Sequence, residues 1–212
     1  PKHIIMATSV SGTPNKPQLP ILDNFSGKVI HSSQFKNGED WNEKEVIVFG
    51  TGTSAHDICQ NLHANHANVT MVQRSPTMVV NVDPSAQLYD GLYLKEDGKT
   101  KSEGPLAELD HINSSFPMAV TRRAHQIITR KVKEIDAPLL SGLESAGFKL
   151  EFGEDDTGWP LKYRQRGGGY YFNADSVDSI EKGIINFIED KDPFNRIKQN
   201  LNEVRNLKWV KK

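Results

Sequence analysis

The stretch EVIVFGTGTSAHDI constrains the fold more than any other part of the sequence. Its apolar start predicts a strand at residues 45–50, and the pattern that follows predicts a helix at 54–65. Between them, Gly50 permits a tight turn, Gly52 lets a ligand approach the backbone, and the small Ala55 lets the helix pack closely on the strand. Free amides and the helix dipole at such a turn bind phosphate groups. We therefore predict a phosphate site formed by Gly50, Gly52, Thr53, Ser54 and Ala55.

A second strand, predicted at residues 68–73, completes a strand–helix–strand unit and predicts a Rossmann-like α/β domain. In such a domain the end of the second strand lies beside the ribose of a bound dinucleotide. An NAD site has an acidic residue at that position, whereas this chain has Arg74 and Ser75. A guanidinium suits a 2′-phosphate, so the sequence favours NADP(H). The alternative interpretation is that Arg74 is a solvated arginine at the end of the strand.

The flanking segments predict further elements. Short apolar runs predict strands at residues 3–7 and 28–31, joined by an extended, proline-rich connector. Helical periodicity predicts one helix at 121–136 and a second at 138–148. Gly147 is placed to stop the second helix.

The remaining segments are less regular. Residues 81–117 have no sustained period and predict an irregular segment with one short helix. The glycines within 164–172 predict a turn beside a strand, and we expect Tyr170 and Tyr171 to pack rather than to stack on a cofactor. A basic, amphipathic helix capped by Asp192 is predicted at the carboxyl end. Its positive charge leaves open the alternative that this helix is an interaction module, although a solvated helix face is the simpler interpretation.

Composition argues against several classes of protein. A formal net charge of −1 does not favour nucleic acid or an anionic membrane as a partner, and no apolar run approaches the ~20 residues of a membrane helix. Cys59 is the only cysteine, which excludes an intramolecular disulfide and predicts a reducing, cytoplasmic location. We expect its thiol to be buried. His56, His63 and His66 lie on neighbouring faces of the predicted helix with too few carboxylates for a metal, so we predict no metal site.

A second motif precedes the glycine turn and consists of Phe25, Gly27, His31 and Phe35. On local chemistry alone, a histidine such as His31 is more often structural than catalytic. Together with the Gly-x-Gly-x-x-Ala turn, the pattern Phe-x-Gly-x-x-x-His-x-x-x-Phe resembles the signature of the class B flavoprotein monooxygenases. These are the flavin-containing monooxygenases and their Baeyer–Villiger relatives. The leading HIIMATSVSGTPNKPQLP resembles the linker that leaves the FAD domain in that family, and the likeness extends over about residues 1–175.

The resemblance implies an enzyme that uses two dinucleotides. NADPH would reduce FAD, and a C4a-hydroperoxyflavin would oxygenate a soft nucleophile such as an amine or a sulfide. By position, the pyrophosphate of NADPH would be held by Gly50, Gly52, Thr53, Ser54 and Ala55, and its 2′-phosphate by Arg74 with Ser75. His31, the candidate catalytic residue, and Ser32 would belong to the segment that orders the nicotinamide and the interdomain hinge.

The family's FAD fingerprint would come before this linker, so we expect the chain to be a fragment of a two-dinucleotide flavoprotein. It would be inactive without the missing FAD-domain segment. We expect four parts: a linker and family fingerprint at 1–44, a Rossmann NADP(H) unit at 45–80, a largely helical or irregular insertion at 81–165, and a return segment with the basic helix at 166–212. The alternative is a stand-alone or degenerate NADP(H)-binding module without catalytic turnover. Neither interpretation identifies the small-molecule substrate.

Overall fold

The computed structural model describes residues 2–5, 13, 14, 16, 25–95, 101–174 and 186–189, the last of these by their backbone. The strands are β1 (Glu45–Phe49), β2 (Asn68–Gln73), β3 (Met78–Asn81), β4 (Tyr170–Asn173) and β5 (Asn186–Glu189). The α-helices are α1 (Thr53–Ala64), α2 (Leu106–Ser115), α3 (Met118–Ile135), α4 (Ala137–Ser145) and α5 (Gly158–Arg166). Short 3-10 helices lie at Ser32–Gln34, Glu39–Trp41, Ala86–Asp90 and Glu154–Asp156.

The first sheet is parallel, with strand order β1-β2-β5. Val46 pairs with Val69 and Val48 with Met71, so alternate apolar residues of both strands share one face. That face packs into a core cluster with α1, which contributes Cys59 and Leu62. The predicted strand–helix–strand unit is therefore confirmed, with each element within one residue of its expected bounds.

A second, two-stranded parallel sheet pairs β3 with β4. Successive side chains of a strand point to opposite faces. Val79 and Tyr171 accordingly belong to the same cluster as α1 and β2. Met78 and Val80 instead pack with α3 and with an aromatic group that contains Trp159. This sheet thus contributes side chains to two core clusters, one on each of its faces.

The two helices predicted from periodicity are confirmed as α3 and α4. α3 begins after Pro117, which occupies its N-cap, and buries Val132 completely. Asp136 separates α3 from α4, and its buried carboxylate accepts hydrogen bonds from the Ser85 hydroxyl at 2.6 Å and the Asn81 backbone amide at 3.0 Å. α4 ends at Ser145, and Gly147 follows with a φ of +86°, which suits the stop predicted there.

Two predicted strands are wrong where the structure describes them. Residues 3–5 have no strand conformation, and the side chains of Ile4 and Ile5 are 79% and 92% exposed. Residues 28–31 are also irregular. Within the described part of the chain neither run pairs with another strand, and an apolar run does not form a strand without a partner.

Other elements were not predicted from the sequence. β3 is only four residues long, and the residues of its partner β4 lie about ninety positions away, so its pattern gave no local signal. α5 was missed because its polar residues show no helical period. Most of the proline-rich connector and the predicted carboxyl-terminal helix lie outside the described residues. In the described ranges no helix is both long and apolar enough to cross a bilayer.

The core includes one buried imidazole. His56, in the first turn of α1, stacks on Tyr171 with ring centroids 3.9 Å apart and planes inclined by 9°. Burial lowers the pKa of His56 to about 4, although a hydrogen bond with the Thr51 backbone opposes the shift. Cys59 lies one turn further along the helix and is buried, as predicted, and burial raises the pKa of its thiol to about 12. Both side chains are therefore uncharged at neutral pH.

The burial of His56 predicts that acid destabilises the fold. The pKa is 6.5 in the unfolded reference state and about 4 in the folded state. The stabilisation that comes from keeping the imidazole neutral is therefore fully present above pH 6.5 and is lost as the pH falls towards 4. We expect the unfolding free energy to fall by about 2 kcal/mol between about pH 7.5 and about pH 5, measured by urea denaturation.

Two variants provide the controls. His56→Phe keeps an aromatic ring beside Tyr171 but cannot titrate, so it should lose this pH dependence. His111→Gln changes an exposed histidine of α2 and should retain it. If His56→Phe keeps the parent's pH dependence, another group is responsible.

Candidate functional site

The glycine turn joins the end of β1 to the start of α1. Gly50 has a φ of +118°, which other residues rarely adopt, and its amide donates to the Val72 carbonyl of β2 at 3.0 Å. Gly52 is the N-cap residue of α1, and no side chain among the described residues caps this helix end. The first amides of α1 therefore remain free to bind an acceptor.

The space in front of the turn is open. A Cβ atom built on Gly50 or Gly52 would meet no heavy atom of the described residues within 4 Å. Thr53 and Ser54 are exposed in the first turn of α1, and Ala55 is half-buried behind them. A pyrophosphate could approach the backbone here, so the residues present fit the group that the sequence predicted.

The turn after β2 lies directly beside the glycine turn. The hydroxyls of Thr51 and Thr77 are 2.6 Å apart and hydrogen-bonded, and both residues are buried. Arg74 and Ser75 lie in the turn that Thr77 closes, and both are exposed. Since β1 and β2 are parallel neighbours, their carboxyl ends meet at one edge of the sheet. The structure therefore brings together the two sets of residues that the sequence assigned to pyrophosphate and to 2′-phosphate.

Buried polar contacts hold the second turn. The Gln73 side chain donates to the Lys149 carbonyl at 2.9 Å and accepts from the Lys149 amide at 2.8 Å. The Thr77 amide donates to the same Lys149 carbonyl at 3.1 Å, and the Thr77 carbonyl accepts from the Glu151 amide at 3.3 Å. Between these points, the Lys162 ammonium donates to the Pro76 carbonyl at 3.3 Å. The exposed Arg74 thus sits on a rigidly anchored turn.

The sequence did not identify Thr51, Gln73, Thr77 or Lys162 as parts of this site. Gln73 and Thr77 stand where polar residues interrupt apolar runs, which was the one signal that could have indicated a buried hydrogen bond. Lys162 carried no signal, because a lysine among the polar residues of α5 looks like part of a solvated helix face.

His31 and Ser32 lie in a short capping structure. The Nδ1 atom of His31 accepts from the Ser33 amide at 3.2 Å, and the His31 amide donates to Gln34 Oε1 at 3.1 Å. Ser32 is exposed at the start of this 3-10 helix. Among the hydrogen bonds of the described residues, none joins His31 or Ser32 to the glycine turn. The observed contacts are those of a structural histidine, and the catalytic role stays a prediction.

The other candidates have structural environments. His56 is buried against Tyr171, while His63 is half-buried and His66 is exposed. Across the residues that the structure describes, no three ligand-type side chains are gathered for a metal ion. Tyr171 is buried in the core, which agrees with the packing role predicted for it.

A parallel strand–helix–strand unit with an open glycine turn, and a cationic turn beside it, is the arrangement of a dinucleotide-binding Rossmann-like domain. Residues 1–92 match the pyridine nucleotide-disulphide oxidoreductase family. The chain is 38% identical over 79 residues to a probable indole-3-pyruvate monooxygenase, YUCCA10, of Arabidopsis thaliana; the match covers 37% of the chain and 21% of that relative.

Two further relatives are bacterial. A trimethylamine monooxygenase of Roseovarius is 31% identical over 109 residues, which are 47% of this chain and 24% of the relative. The FAD-containing monooxygenase EthA of Mycolicibacterium smegmatis is 36% identical over 75 residues, which are 34% of the chain and 15% of the relative. Through this region the chain is similar to class B flavoprotein monooxygenases, so the resemblance drawn from its motifs is confirmed. The chain spans between 15% and 24% of the length of these three relatives.

The open space at Gly52 predicts the effect of a side chain there. The φ of Gly52 is −88°, so Gly52→Val is compatible with the backbone, and the new methyl groups would fill the space that a pyrophosphate needs. We expect nucleotide affinity to fall by more than about tenfold, while loss of the preferred N-cap residue costs only about 1 kcal/mol of stability. Fluorescence titration with NADPH and circular dichroism measure the two effects.

Gly168→Val is the matched control. Gly168 also has no heavy atom within 4 Å of a built Cβ atom in the part of the chain that the structure describes, but it precedes β4 rather than α1. The Gly168→Val variant should bind NADPH as the parent chain does. Undiminished binding by Gly52→Val would mean that the glycine turn is only structural.

Proposed function

We propose that this chain forms the NADP(H)-binding part of a flavin-dependent monooxygenase. The observation that carries the proposal is the buried Thr51–Thr77 hydrogen bond, which keeps the open glycine turn and the Arg74 turn side by side. Arg74 forms no ion pair with any described residue, so its guanidinium is free for an anionic ligand. The similarity of residues 1–92 to the pyridine nucleotide-disulphide oxidoreductase family, and of the chain to a relative named as a monooxygenase, supports the same assignment.

Each part of the site has a role in this proposal. The backbone amides at Gly52, Thr53 and Ser54 bind the pyrophosphate, with Gly50 shaping the turn and Ala55 keeping α1 close to β1. Arg74 and Ser75 bind the 2′-phosphate through charge-assisted hydrogen bonds. His31 and Ser32 belong to the segment beside α1 that orders the nicotinamide end. NADPH, when bound, supplies a hydride to the flavin.

The names of the relatives support a proposal for the flavin partner and for the substrate class. One relative is named as an FAD-containing enzyme and another as a trimethylamine monooxygenase. We therefore propose FAD, bound by a segment outside this chain, as the second cofactor, and a soft nucleophile such as an amine or a sulfide as the small-molecule substrate. A cytoplasmic location remains a prediction from the single cysteine.

The second candidate is an NADP(H)-binding module without turnover, and the same geometry would serve it. Flavin content distinguishes the two when the chain is expressed together with the FAD-domain segment of a relative. Bound flavin that NADPH bleaches under anaerobic conditions would support the monooxygenase. Tight NADPH binding without any flavin reduction would support the module.

Arg74 should determine the preference between the two nicotinamide nucleotides. The parent chain should bind NADPH more tightly than NADH, because a charge-assisted hydrogen bond to the 2′-phosphate contributes about 1.5–3 kcal/mol. Arg74→Ala should therefore weaken NADPH binding by roughly tenfold or more and leave NADH binding unchanged. Isothermal titration calorimetry with NADPH and with NADH measures the two affinities.

Arg123→Ala, which removes an exposed arginine of α3, is the control and should keep the parent's preference. Equal affinities of the parent chain for NADPH and NADH would refute the assignment of Arg74 to the 2′-phosphate.

A further inference from the structure

Lys162 is a buried lysine beneath the Arg74 turn. Only 3% of it is exposed, and its ammonium forms an ion pair with Glu151. The same ammonium donates to the Pro76 carbonyl at 3.3 Å. Burying a charge costs free energy unless the charge is paired and hydrogen-bonded. The buried Lys162 ammonium therefore needs both of its partners, the Glu151 carboxylate and the Pro76 carbonyl. Pro76 belongs to the Arg74 turn of the candidate site.

The surrounding chain leaves room for the lysine side chain. Gly169 has a φ of +87°, and a Cβ atom built on it would lie 2.6 Å from Lys162 Cε. The Gly169 carbonyl accepts from the Met78 amide at 3.1 Å, where β3 and β4 begin to pair. Burial lowers the pKa of Lys162, while the Glu151 carboxylate opposes that shift. The aliphatic stem of Lys162 is thus enclosed between the Arg74 turn and the start of β4.

The hydrogen bond from Lys162 to Pro76 holds the middle of the Arg74 turn, between the points that the other hydrogen bonds hold. Gln73 is held by Lys149 before the turn, and Thr77 is held by Thr51 after it. Proline has no amide hydrogen, so the Pro76 carbonyl is the backbone group through which Pro76 can be held. Lys162 binds that carbonyl from a buried position, whereas Arg74 and Ser75 on the same turn are exposed.

We propose that Lys162 is a positioning residue for Arg74. Its ammonium fixes the Pro76 carbonyl and so keeps the Arg74 guanidinium beside the glycine turn, which sets the discrimination between nucleotides with and without a 2′-phosphate. Lys162 itself does not contact the phosphate, because Glu151 and the turn enclose it. The effect on nucleotide choice rests on the proposed function, whereas the hold on the turn does not.

Lys162→Met tests the proposal, since methionine keeps much of the apolar stem and removes the ammonium. We expect NADPH to bind about five- to tenfold more weakly, with NADH affinity unchanged within about twofold. In the nucleotide-free chain, trypsin should cleave after Arg74 at least about fivefold faster, because a loosened turn enters the protease more readily. Lys131→Met, on the exposed surface of α3, is the control and should match the parent in both measurements.

A double variant separates positioning from stability. Glu151→Leu with Lys162→Met replaces the ion pair by apolar groups and should recover much of any stability that the single variant loses. The double variant should still discriminate less between NADPH and NADH and be cleaved faster after Arg74, because the hydrogen bond to the Pro76 carbonyl is absent. It also keeps the proposal testable if Lys162→Met alone does not fold.

The outcomes are distinct. Unchanged cleavage after Arg74 in the Lys162 variants overturns the proposal, and so does a double variant whose discrimination recovers together with its stability. Equal weakening of NADPH and NADH binding also overturns it, because that result indicates a general structural role. If the parent chain binds neither nucleotide, the proposed function fails, and the cleavage rates still decide whether Lys162 holds the turn.

Discussion

The parallel pairing of β1 with β2 is the constraint on which the site depends. Two adjacent parallel strands end at the same edge of a sheet, and α1 must cross between them. The pairing therefore brings the glycine turn at Gly50 and the turn at Arg74 together, although more than twenty residues separate them. The buried hydrogen bond between Thr51 and Thr77 then joins the two turns directly.

The anchors of the Arg74 turn come from distant parts of the chain. Lys149 lies between α4 and α5, and Lys162 lies within α5, so the helical segment supports the edge of the Rossmann-like unit. The stack of His56 on Tyr171 makes a second connection, from α1 to β4. The helical segment is thus part of the candidate site's support, and a change within it can alter the site without touching a ligand.

The strand–helix–strand unit could be predicted from the sequence because its signals are local. The residues of β1 form an apolar run, α1 begins at a glycine turn, and the three elements follow one another with short connections. The predicted strand at 28–31 had a similar apolar run but has no partner strand among the described residues. β3 and β4 form a sheet through pairing across about ninety residues, a contact that a local pattern cannot encode.

For the candidate site, the sequence by itself determined the residues of the two turns: the glycines that shape the first turn, the small Ala55 that follows them, and a cationic rather than an acidic residue after β2. These choices depend on backbone conformation and on charge, both of which are properties of single positions. Only the tertiary structure decided that Thr51 meets Thr77, that Gln73 bonds the backbone of Lys149, and that Lys162 is buried beneath Pro76. Each of these contacts needs a polar partner supplied by a distant segment, because a buried polar group is tolerated only where the folded chain satisfies it.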